Sequence, residues 1–446
     1  MVEHRELAWR REYVLIAQTP MIHFQPNQAG AALRPSEVKP KLDRYLRRVC
    51  GKEIPKEWLV SDRQPALNYQ MRIVASGQDK SNGLGIDHCK AYFGNRGRNT
   101  KDLVFRDCIL EINCFVPELL DLIDQQIGSF FILHNFGTRQ SKGFGGFLVE
   151  ENGYSQDNYV STTVKMHCPH YFTFSAKGAD ILTKLNHTYA VYSVLKSGIN
   201  MSRNNPDRYI KGYSLREFLL PSLGGDKAFI KSKVWPSEIL RPMETHNCYT
   251  SFVFIRALLG LAENNEYRDD VRNGGTKTII DRKTGQPKKQ LEGEKVRIVH
   301  FNGIRVGTDN KVKIPLESIR KKMGIQRFHS PILIKITENR IFFILDDSWK
   351  QMLGQTFVMA KQKVMESILA LPAETAKEKL EELPFISTPD NFDAEKFISG
   401  FVTYFNSEEV KKRLRTFPTR GDGPRPRAGY EFREATVLVL EKGEHL

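Results

Sequence analysis

The chain has 446 residues, enough for roughly two or three domains. Its 67 basic against 52 acidic residues leave a net charge of +15, which favours a polyanion partner but carries no information on fold. A hydrophobic share of 40% with 27 Phe and 15 Tyr excludes a disordered chain, and the lack of any run of about 18 apolar residues excludes a membrane-spanning helix.

The opening "MVEHRELAWRREYVL" is charged and has no apolar h-region, so no signal peptide is expected. "EYVLIAQTPMIHF" (Glu12–Phe24) predicts a strand running into the loop "QPNQAGAA". "RPSEVKPKLDRYLRRVC" (Arg34–Cys50) predicts a helix, because Val38, Leu42, Tyr45, Leu46 and Val49 recur at helical spacing. Pro40 places its regular start, since proline is tolerated in a first turn. Strands are expected at "NYQMRIVAS" and "LVFRDCILEINCFV", then a helix opening at Pro117. The run "NFGTRQSKGFGGF" (Asn135–Phe147) leads into the strand "FGGFLVEE". Strand, helix, strand, strand, helix, strand is the split β-α-β, ferredoxin-like order.

Further on, "HYFTFSA" predicts a strand and "ADILTKLNHTYAVYSVLKSG" a helix. "SLREFLLPSL" and "YTSFVFIRALLGLAE" read as apolar helices, and "KVRIVHF", "SPILIKI" and "RIFFILD" as strands. Residues 264–295 form a charged excursion with "KTGQP" as its turn. "DAEKFISGFVTYFNSEEVKKRL" predicts one late amphipathic helix, followed by the Gly/Pro/Arg-rich "TRGDGPRPRAGY".

The six cysteines (Cys50, Cys89, Cys108, Cys114, Cys168, Cys248) read as reduced thiols, consistent with a cytoplasmic location. His167, Cys168 and His170, and separately His246 and Cys248, lack the paired spacing of zinc sites, so no metal and no cofactor are expected.

Leu33–Leu42 ("LRPSEVKPKL") and Ile210–Leu219 ("IKGYSLREFL") share the places of their aliphatic and cationic residues, which points to two copies of a related unit. Three ordered features then carry a family likeness. They are "LRPSEVKPKL", "AYFG" (Ala91–Gly94) with "LVFRDC" (Leu103–Cys108), and "GTRQSKGFG" (Gly137–Gly145). In this order the chain resembles the RAMP superfamily of CRISPR-associated proteins. The second half resembles it through "YIKGYSLREFLL", "RALLGL" (Arg256–Leu261) and "RFHSPILIKI" (Arg327–Ile336), without a second Gly-rich motif.

The resemblance implies an α+β protein of two ferredoxin-like (RRM-like) domains, each an antiparallel sheet with helices on one face. The expected division is 1–157, 158–415, and a basic tail 416–446 with a final strand. It also implies an RNA-binding subunit of a CRISPR ribonucleoprotein effector in antiviral defence. Its partners would be CRISPR RNA, target RNA and other effector subunits, with no membrane. The alternative is a metal-independent CRISPR-RNA-processing endoribonuclease using a histidine, His23 or His134. The loop after the first strand has no Asp or Glu, which argues against a target-cleaving role; the nearest acids are Glu37 and Asp43.

The residues expected at RNA follow from their chemistry. Gly137, Gly143 and Gly145 let backbone N–H groups approach phosphates. Arg139 and Lys142 supply charge, Gln140 and Ser141 hydrogen bonds, and Phe144 either a stacking ring or a core anchor. Arg34, Lys39 and Lys41 lie at a helix start, and Lys211 and Arg216 are their counterparts in the repeat. Lys196, Ser197 and Arg203 extend the basic path, and "GNRGRN" (Gly94–Asn99) is a second basic loop.

Overall fold

The structure is a computed structural model that describes residues 8–22, 33–51, 54–61, 64–81, 103–150, 156–198, 213–219, 224–225, 229–234, 251–261, 264–268, 276–280, 287–291, 295–306, 311–313, 328–416 and 430–444. His23, "AYFG", "GNRGRN", Arg203, Lys211, His246, Cys248 and residues 417–429 lie outside these, as does the side chain of Arg216. The chain divides into two units. The first comprises Met1–Ser214, Ile332–Asp346 and Ala394–Leu446, and the second Leu215–Pro331 and Asp347–Asp393.

The first unit holds two four-stranded sheets. One is built from β1 (Arg10–Ala17), α1 (Pro35–Cys50), β2 (Gln70–Ser76), β3 (Asp107–Asn113), α2 (Pro117–Leu133) and β4 (Phe147–Val149), with strand order β2-β3-β1-β4 and every pairing antiparallel. Alternation sets its faces. Tyr13, Leu15 and Ala17 of β1 and Cys108, Leu110 and Ile112 of β3 are buried under α1 and α2. Those helices contribute Val38, Leu42, Tyr45 and Leu46, and Leu119, Ile123, Ile127 and Phe130. Pro35, not Pro40, occupies the start of α1, and Pro40 sits inside the helix. Pro40 removes one donor, and the buried stripe from Val38 to Leu46 holds the turn together regardless.

After α3 (Gln156–His167), the second sheet takes β5 (His170–Ser175), α4 (Ile181–Ser197), β6 (Ile332–Ile336), β7 (Arg340–Leu345), α5 (Ala394–Asn406), α6 (Glu408–Arg415) and β8 (Glu441–Lys442). Its order β6-β7-β5-β8, again wholly antiparallel, repeats that of the first sheet. Unlike the expected one-sided cover, both of its faces are packed. Tyr171, Phe342 and Ile344 meet Val160 and Val164 of α3, with Ile132 and Leu148 from the first half. On the opposite face Phe172 stacks on Phe343 at 4.8 Å and meets Phe401 of α5 at 5.5 Å. Two-sided burial is why "RIFFILD" is an unbroken apolar run.

The expected single late helix is two, α5 and α6. The Ser407 hydroxyl accepts from the Val410 N–H at 3.4 Å and starts α6 anew.

In the second unit a seven-stranded sheet runs Gly224–Gly225, Phe252–Val253, Phe385–Ser387, Thr356–Lys361, Lys295–Val306, Asn264–Arg268, with Lys311–Lys313 on the long strand. Helices Gln362–Leu369 and Ala373–Glu381 pack on it. "YTSFVFIRALLGLAE" is not the expected helix: it gives the strand Phe252–Val253 and one turn, Ile255–Leu258. Its β-branched and aromatic start favours strand, and Gly260 at φ +116° ends the turn against the Ser330 backbone. The charged excursion contains the antiparallel pair Thr276–Ile280 and Pro287–Leu291. No helix among the described residues is long and apolar enough to cross a membrane.

Candidate nucleic-acid interface

The Gly-rich run is a narrow, internally hydrogen-bonded loop joining α2 to β4. Asn135 bridges Gly146, and the Phe136 N–H donates to Gly145 O at 2.9 Å. The loop lies along the exit of β1: the Thr138 N–H donates to Ile22 O at 2.8 Å and the Gly145 N–H to Pro20 O at 2.9 Å. Two glycines are obligatory for this closeness. A Cβ on Gly145 (φ +69°) would stand 1.9 Å from Phe136 O, and one on Gly137 (φ +79°) 2.7 Å from Ile22 O. Arg139 at φ 63° is the one non-glycine with positive φ among the described residues, and it opens the short 3-10 turn Gln140–Lys142.

From α1, two side chains pin the loop. Glu37 Oε1 accepts from the Gly137 N–H at 2.6 Å. Lys41 Nζ donates to Asn135 O at 2.9 Å and Gln140 Oε1 at 2.7 Å, and lies 4.6 Å from the Phe136 ring centre. Burial lowers the Lys41 pKa, with Glu37 acting against that shift. Phe136, Phe144 and Phe147 are all buried, so the Phe144 ring anchors the loop instead of offering a face to a base.

From β6, a residue that sequence reading missed completes the base of the loop. Lys335 is wholly buried, and its Nζ donates to Phe131 O at 2.6 Å and Phe147 O at 2.9 Å, with His134 O and Asn135 Oδ1 each at 3.4 Å. Asn135 Nδ2 in turn donates to Gln140 O and Ile334 O, both at 2.8 Å. Burial pushes the Lys335 pKa down to about 7; the ring of four acceptors favours the ammonium form against that desolvation. The signal was present in "ILIKI", a lysine amid an apolar strand.

The loop's outer part carries the basic side chains Arg139 and Lys142. Lys142 Nζ lies 3.0 Å from the Tyr192 ring centre on α4. Its pKa is pushed down to about 6, first by burial and then by the nearby charges of Lys196 and Arg139. Arg139, Ser141 and Lys142 are half-buried and Lys196 is exposed. Gly143 abuts Ile336 and Ile334.

The other expected residues separate by position. Arg34 is half-buried at the N-cap of α1. Lys39 turns inward, 3.2 Å from Asp43, donating to Leu67 O at 2.8 Å and lying over the Tyr69 ring. Arg216 falls in the short helix Leu215–Leu219. His134 donates Nδ1–H to Phe130 O at 2.9 Å and packs on the Phe130 ring. Burial first, then the charges of Lys41, Arg48 and Lys335, push its pKa down to about 4, so it is neutral at pH 7 and a weak base.

The outward face of the first sheet is not a stacking platform. Val14, Ile109 and Val74 align across it, and beside them Glu12, Glu111 and Arg72. Arg10 and Arg72 are both spent on Glu111, at 3.3 and 3.6 Å. No aromatic ring stands there on β1, β2 or β3, and its carboxylates would repel a phosphate backbone.

Residues 9–199 match the family model described as Cmr1 N-terminal domain, and residues 214–420 match that described as Cmr1 C-terminal domain. Together with the loop these matches define the class, a RAMP-like subunit of type III CRISPR effectors. The chain belongs to the Cmr1 family, whose members are components of a multi-subunit type III CRISPR complex. A search of curated proteins finds no match.

Proposed function

We propose that this chain is an RNA-binding subunit of its effector, holding CRISPR RNA or the guide–target duplex at the outer part of the Gly-rich loop. We also read both four-stranded sheets as ferredoxin-like domains, on the strength of their shared strand order. The observation that carries the RNA reading is the grouping of Arg139, Lys142 and Lys196 around one hydrogen-bonded loop. A cation already desolvated and crowded by like charge gains when a phosphate arrives, because the anion restores its charged form.

Within this reading the expected residues divide by role. Arg139, Ser141, Lys142 and Arg34 face RNA. Gly137, Gln140, Gly143, Phe144, Gly145 and Lys41 build the loop, and Lys39 belongs to the fold. Lys211 and Arg216 extend the proposal to the second half. Filter binding of a repeat-derived RNA across a salt series tests it: Arg139→Ala with Lys142→Ala should weaken binding and flatten the salt dependence.

A further inference from the structure

We propose that the end of the first sheet remote from the Gly-rich loop is a protein-docking surface, built on Trp9 and Phe115, for a basic surface of a neighbouring effector subunit that carries an apolar side chain. Phe115 is 81% exposed and Trp9 39%, unusual values for large rings, and the two stack with centres 5.5 Å apart. Their backbones are tied, Cys114 N–H donating to Trp9 O at 2.9 Å, so the pair is presented by two strand ends and not by a free tail. Val60, 53% exposed, is carried to the same end by the hairpin Leu59–Ser61 and Gln64–Leu67. That strand pair is closed at its base by Asn68 N–H donating to Trp58 O at 2.7 Å, and is tied to the sheet end by Cys114 Sγ–H donating to Asn68 O at 3.5 Å. β1 separates this end from the loop by its full eight residues, about 25 Å of strand.

Charge decides the kind of partner. The adjoining helix α2 carries Glu118, Asp121 and Asp124 and no basic residue. Asp124 is engaged, accepting from the Tyr13 hydroxyl at 2.8 Å with Arg11 at 4.0 Å. Glu118 and Asp121 are exposed and make no ion pair among the described residues. A phosphate backbone would be repelled here, whereas a basic protein surface would be attracted. Exposed aromatic anchors with a polar rim have the composition of binding hot spots, and the family assembles into a multi-subunit complex. The inference is independent of the RNA reading, since it uses none of the loop residues.

The test co-expresses the full chain with the other subunits of its effector and measures, by size-exclusion chromatography, how much co-elutes with the assembly. Phe115→Ser, at a position too exposed to endanger folding, and separately Glu118→Lys with Asp121→Lys, should each lower incorporation about 10-fold or more. RNA affinity and salt slope of the free chain should stay unchanged. Full incorporation of Phe115→Ser would overturn the docking surface. Full incorporation of the charge-reversed variant would overturn the basic partner, and loss of RNA affinity in Phe115→Ser would assign the rings to RNA.

Discussion

Lys335 shows how much a single residue governs the candidate interface. Its ammonium is the common donor for oxygens at the end of α2, in the loop and at β4. Lys335→Met would leave Phe131 O and Phe147 O buried without a donor, at about 3 kcal/mol of stability; a lowered denaturant midpoint at unchanged m-value is the expected reading. His134 supplies a pH dependence of known sign. Its folded pKa, about 4, lies below the ordinary 6.5, so the unfolded chain takes up the proton first on acidification. The stabilisation is complete above pH 6.5 and is lost as pH falls through about 4. His134→Gln should lose less stability between pH 7 and 4.5 than the wild type, measured by denaturant unfolding at each pH. Of the loop residues, Gly137, Arg139, Lys142, Gly143 and Gly145 stood out in the sequence as one Gly-rich basic run, and the family resemblance drew attention to them. The engagement of Lys41 with Asn135, 94 residues away, and of Lys335 with Phe131, 204 away, was not legible there, because only folding brings such partners together.

At the scale of elements, local chemistry spoke most clearly where one face is buried. The alternation in β1 and β3 and the proline at the start of α2 gave the first sheet its outline. Where two signals competed, the choice went to tertiary packing. Pro35 and Pro40 could each open α1, and the buried stripe from Val38 onward selected Pro35. The break between α5 and α6 was written in Ser407 followed by Glu408 and Glu409, a capping serine with acids in the first turn. It was hidden by an apolar periodicity that continues across it. Ser407→Ala should destabilise the protein by about 1 kcal/mol, read as a lower thermal midpoint, with α5 unaffected.

For the whole molecule, strand order reveals what motifs did not. The two sheets of the first unit share one order, yet the strands of the second come from segments as far apart as His170–Ser175 and Glu441–Lys442. A linear reading sees neighbours, and so it could not separate the inserted second unit from the sheet it interrupts. Charge is partitioned as well. Arg139, Lys142 and Lys196 gather at the loop, while α2 and the outward sheet face carry carboxylates. The most direct test of the RNA reading is therefore the salt dependence of binding to a repeat-derived RNA, compared between wild type and the variant with Arg139→Ala and Lys142→Ala. Loss of two phosphate contacts should make the slope of log K against log salt shallower by about 1.4 and weaken binding at low salt. An unchanged affinity and slope would contradict the assignment of RNA to this loop.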